Sequence, residues 1–114
     1  MIRHFEIGDK PRPVKFGFNT YAEFERLSGK SLINLSAGEV LTVEQLLLLV
    51  FCALREGARK TGEPFDYTKE DVGDWFDENP NVLTDITAFF VESQGEAKPD
   101  NKKKPVKIQN RKSR

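Results

Sequence analysis

LLLLVFCALREGARK, residues 46–60, begins with nine apolar side chains in a row and then turns abruptly basic. What starts and stops this run decides the fold. Thr42 followed three residues later by Gln45 has capping-box spacing, and Gly62 with Pro64 closes the segment. The pattern predicts a helix over 43–60, roughly 27 Å long at 1.5 Å per residue. On that helix Leu46, Leu49, Val50 and Ala53 form one stripe, Leu47, Phe51 and Leu54 a second, and Leu48 with Cys52 the remainder. A helix apolar all round is either central to its domain or lends its spare face to a partner. Both readings stand at this point. Lipid does not: a crossing needs roughly 20 apolar residues, and Gln45 and Arg55 bound this run at nine.

Upstream, Phe5 and Ile7 alternate with polar neighbours, as do Val14, Phe16 and Phe18. A period of two predicts a strand pair, with the turn in GDKPRP and its prolines in the loop or on an edge. A lone hairpin is unstable in water, so its apolar face must rest on helices or another sheet. Thr20 and Glu23 have capping-box spacing before the stripe Tyr21, Phe24 and Leu27, and Gly29 suits a left-handed cap. A short helix over about 21–28 is expected, then a loop over 30–41 anchored by Leu32, Ile33 and Leu35.

Downstream, Thr68 caps a third helix, with Glu70 and Asp71 at its positive end and Val72, Trp75 and Phe76 as its apolar face. Asn79 before Pro80 opens a fourth, carrying Leu83, Ile86, Phe89 and Phe90 and ending near Gly95. The expected fold is α+β, mainly α: a short N-terminal β-hairpin, about four helices and a basic tail. One small helical domain occupies 1–94 and the tail 95–114.

The formal net charge of zero hides a division. Residues 1–94 carry ten Lys and Arg against sixteen Asp and Glu, a net of −6; residues 95–114 carry eight against two, a net of +6. With two aliphatic residues and no aromatic, the tail cannot offset its chain entropy and is expected to be disordered. It also offers no ring for base stacking, so nucleic acid is a secondary expectation, reached only through lysine–phosphate attraction. One cysteine, Cys52, rules out a disulfide within the chain. With no apolar stretch in MIRHFEIGDK, a cytoplasmic protein is expected.

Reactive chemistry is sparse. His4 and Cys52 are the only imidazole and thiol, which falls short of a four-ligand zinc site. A calcium loop begun at Asp66 would need Gly at its sixth position and Glu at its twelfth, where Asp71 and Asp77 stand. The acids Asp74, Asp77 and Glu78 read as a solvated helix face. No enzyme, cofactor or metal is expected.

Three stretches carry a likeness to a known family. PVKFGFNTYAEFERLSGKSL (13–32), ALREGARKTGEPFDYTKEDVGDWFDE (53–78) and LTDITAFFVES (83–93) together resemble the tail assembly chaperones of long-tailed bacteriophages. The likeness spans about 5–93 and leaves out the tail. It implies a non-enzymatic protein of the bacterial host cytoplasm, absent from the finished virion. Such a protein binds the tape-measure protein or tail-tube subunits and keeps them soluble until the tube forms. It also implies no catalytic residues, and it leaves self-association open. The partner-binding face expected from the spare helix stripe is Leu47, Phe51 and Leu54, with Phe90. The alternatives are a small nucleic-acid-binding protein acting through the tail and a structural head–tail connector.

Overall fold

Reversal at Gly8, with φ 76°, opens the chain in the computed structural model, which describes residues 1–31 and 41–97. That left-handed conformation costs glycine little. It joins β1 (Ile2–Ile7) to β2 (Lys10–Lys15), antiparallel, with Ile2 opposite Lys15 and Ile7 opposite Lys10. The turn is therefore Gly8-Asp9 alone, and Pro11 and Pro13 lie within β2. They are tolerated because each strand of a two-stranded sheet is an edge.

Four helices follow: α1 (Phe18–Ser28), α2 (Val43–Thr61), α3 (Lys69–Glu78) and α4 (Pro80–Ala97). The fold is α+β and mainly α, as the sequence patterns indicate. Its first helix starts earlier than expected. Gly17 is the N-cap, without a side-chain bond, and Thr20 lies inside the helix. The Thr20 hydroxyl donates to the Lys15 carbonyl at 2.6 Å and ties α1 to the end of β2. Phe18, expected to extend the strand's apolar face, instead opens α1 and is 84% exposed.

The caps at Thr42, Thr68, Gly29 and Gly62 behave as their spacing predicts. Thr42 and Gln45 exchange both capping-box bonds, at 2.9 and 3.1 Å. Thr68 and Asp71 do the same at α3. Gly29 and Gly62 take left-handed conformations at the ends of α1 and α2. Helix α4 starts at Pro80 and runs through Gly95 to Ala97, past the boundary expected after residue 94. The anchoring role of Leu32, Ile33 and Leu35 and the disorder of the tail beyond residue 97 concern residues outside those described.

Helix α2 is the hub. Strand β2, α1 and α3 all pack on it, while α4 reaches across α3 to β1. One apolar core joins Ile7, Val14 and Phe16, Phe24 of α1, Leu49, Val50, Ala53 and Leu54 of α2, Val72 and Phe76 of α3, and Ile86 and Phe89 of α4. Two residues fasten the hairpin to this core. At Gly57 a Cβ atom would stand 2.3 Å from the Pro13 carbonyl oxygen, so only glycine lets the β2 backbone rest directly on α2. Arg12 is buried, donates from Nε to the Ile7 carbonyl at 2.7 Å, and lies 4.3 Å from the Trp75 ring and 4.6 Å from that of Tyr67. Its cation is thus held against two aromatic faces, locking the turn to Tyr67 before α3 and to Trp75 in its second half. No described helix is long and apolar enough to cross a membrane.

Candidate partner-binding surface

Along α2 the apolar run divides by depth. Leu49, Val50, Cys52, Ala53 and Leu54 are buried; Leu46, Leu47, Leu48 and Phe51 are half-buried. The helix is central to its domain, and it is also open at its N-terminal end. Val43, the first residue after the Thr42 cap, is 77% exposed. It neighbours Leu46 and Leu47 at helical i,i+3 and i,i+4 spacing. Half-buried Leu41 leads into the same end. Beside Leu47 runs α3, where a Cβ at Gly73 would stand 3.7 Å from Leu47 Cδ1. The opening is thus lined by Leu41, Val43, Leu46 and Leu47, with α3 as one wall.

Of the four residues expected to form a binding face, two belong near this opening. Leu47 lines it. Phe51 lies one turn further in and is partly covered by Phe65, 5.1 Å away ring to ring, in a chain that continues to Tyr67 and Trp75. Leu54 does not belong: it is 0% exposed, which corrects the expectation that it faces outward. It lies just before Gly57, where the β2 backbone closes on α2 and covers whatever stripe the helix presents there. Phe90 lies elsewhere, in a second aromatic chain with Phe16 at 5.1 Å and Tyr21 at 6.2 Å. The expected face is therefore not a single surface. Sequence reasoning missed Val43, although an apolar residue directly after a helix cap is placed where few neighbours can cover it.

The C-terminal half of α2 borders a groove of a different character. About 620 Å³ in volume, it lies against α1 and the segment after α2, with Ala22, Cys52, Ala58 and Phe65 as its apolar lining. Glu63 lines it, 3.6 Å from His4, and the remaining charged groups of its walls are paired with one another. Glu23 accepts from Arg26 and, at 2.8 Å, from Arg55. Glu56 accepts two bonds from Arg59, at 2.9 and 2.7 Å, and one from Asn19 at 3.3 Å. The hydrogen bonds from Arg26 and Arg59 respectively hold the Glu23 and Glu56 carboxyls below their ordinary pKa. Burial pushes the Cys52 thiol up to about 11. At neutral pH it is a protonated, weakly nucleophilic lining group.

Among the described residues no three His, Cys, Asp or Glu side chains gather as metal ligands. Comparison of the chain with family models, with curated proteins and with solved structures returned no match.

Proposed function

We propose that this chain is a non-enzymatic holding protein of the tail assembly chaperone type. In this reading it acts in the host cytoplasm. The open N-terminal end of α2 binds an apolar helical stretch of a tape-measure protein, or of a tail-tube subunit, and keeps it from aggregating before assembly. One observation carries the reading beside the sequence resemblance. Val43 stands 77% exposed next to half-buried Leu41, Leu46 and Leu47, on a helix whose remaining apolar residues are buried or covered by Phe65 and other core neighbours. Contiguous apolar openings on small proteins serve as partner sites, and an amphipathic helix laid into one is a common mode of recognition.

The test is co-expression with a tape-measure protein, comparing wild type with the double variant Val43→Glu and Leu46→Gln. An acid at the first helical position favours the helix dipole, so the variant should keep the wild-type circular dichroism spectrum. It is expected to leave the tape-measure protein in the pellet. Soluble tape-measure protein with the variant at the wild-type level would overturn the assignment of the opening. Detection of the chain in purified virions by mass spectrometry would favour a connector instead.

A further inference from the structure

The groove beside the C-terminal half of α2 has its charges in layers. Glu23 and Glu56 lie beneath, their side chains 24% and 9% exposed, while Arg26, Arg55 and Arg59 lie above them at 66%, 58% and 58%. Each guanidinium is planar, and the bonds to Glu23 and Glu56 leave further N–H donors facing water. Arg55 and Arg59 are one helical turn apart, about 6 Å along the axis. A ligand matched to this wall carries carboxylates at the same spacing.

Such a ligand exists on the same molecule. Glu70, Asp74, Asp77 and Glu78 are exposed on α3, and no ion pair engages them among the described residues. Glu70 to Asp74 and Asp74 to Glu78 each span one turn, the same spacing of about 6 Å. Within one chain no ion pair joins the two surfaces among the described residues, and α3 packs mainly on α2, α4 and β1. We infer that the Arg26–Arg55–Arg59 wall of one copy receives the acidic face of α3 from a second copy. Arg55 and Arg59 pair with Asp74 and Glu78, and Phe65 and Ala22 form the apolar floor of the contact. Guanidinium groups suit this role because their fork geometry engages a second carboxylate without releasing the first. The contact uses the exposed acids of α3 and the arginine wall rather than Leu41, Val43, Leu46 or Leu47, so its charge-reversal test is read separately from that of the chaperone reading.

Exposed pairs are weak and screened by salt, which sets the experiment. Sedimentation equilibrium of the full chain is run at about 0.1 M and about 0.5 M salt, with Asp74→Lys/Glu78→Lys and Arg55→Glu/Arg59→Glu as variants. Wild type is expected to exceed 13.0 kDa increasingly with concentration at the lower salt, and to return to that mass at the higher. Each variant alone should associate at least tenfold more weakly. An equal mixture of the two keeps one intact contact per pair and should recover a species of twice the chain mass. The α3 variant changes only exposed side chains, and a wild-type melting profile for it excludes misfolding as the cause. Wild type monomeric at every concentration, or the α3 variant associating as wild type does, would overturn the inference. Association surviving in the arginine variant would assign the contact to another basic segment and would equally overturn it.

Discussion

The two ends of α2 are built from one helix and solve opposite problems. At the C-terminal end, Leu54 is wholly enclosed, Gly57 admits the backbone of β2, and the Glu23 and Glu56 carboxylates are tied to arginine. At the N-terminal end, three leucines in succession remain half-buried and Val43 lies in water. Hydrophobicity does not separate these ends, since the more leucine-rich one is the more open. What separates them is which elements arrive to cover the helix. The hairpin is anchored to the rest of the fold through Gly57 and Arg12, and Gly57 fixes it at the C-terminal end of α2.

The sharpest way to break this contrast is to unseat the hairpin. Replacing Gly57 with Val places a Cβ 2.3 Å from a backbone oxygen that has no rotamer by which to escape. We expect a loss of about 3 kcal/mol or more, measured as a lowered denaturation midpoint, with Gly57→Ala only somewhat milder. Close behind comes Leu54→Ala, for which full burial predicts a cost of about 3 kcal/mol. Leu47→Ala, in the half-open end, should cost about 1 kcal/mol because little of its transfer energy is realised. Equal losses at Leu47 and Leu54 in urea titrations would erase the distinction between the two ends.

Smaller effects sharpen it. Arg12→Lys keeps the charge but loses the planar contact with Trp75 and the Nε bond to Ile7. It is expected to destabilise by about 1–2 kcal/mol and to raise hydrogen exchange in the hairpin before it does so in α4. Thr42→Ala removes one of the two capping-box bonds at the open end, for about 1 kcal/mol. Exchange protection should fall first at residues 43–46 and leave the last turns of α2 unchanged.

These positions also mark what the sequence could and could not reveal. Caps and stops are local, written in three or four residues, and they were legible at Thr42, Thr68, Gly62 and Pro80. The early start of α1 was not, because Thr20 satisfied a capping pattern while its hydroxyl was used by the Lys15 carbonyl. Nor was Leu54's depth: helical periodicity assigns it to a stripe but does not say which strand crosses that stripe. Gly57 shows why. Its meaning depends on Pro13, 44 positions away in the chain, and no local pattern carries that distance. The exposed Val43 and the arginine wall were missed for the same reason, since exposure is a property of the neighbours that do not arrive.

The smallest effect concerns acid. Glu56 is lowered chiefly by its hydrogen bonds from Arg59, and Glu23 chiefly by those from Arg26. Each folded carboxylate therefore binds a proton less readily than its unfolded counterpart, whose ordinary value is 4.5. Above that value the stabilisation is fully present; as pH falls below it and through the lower folded value, the stabilisation is lost. Both carboxylates border the C-terminal half of α2, while Glu44 is the only acid in the first turn of the helix. Acid should consequently loosen the groove end first and leave the apolar opening intact. Following stability from pH 6 to about pH 3 in wild type and in Glu56→Gln checks this. The variant should be less stable at pH 6 and should lose less on acidification, so that the two curves converge. Parallel curves would mean that the Glu56–Arg59 pair contributes nothing to the closure of that end, and that Gly57 and the apolar core alone hold it.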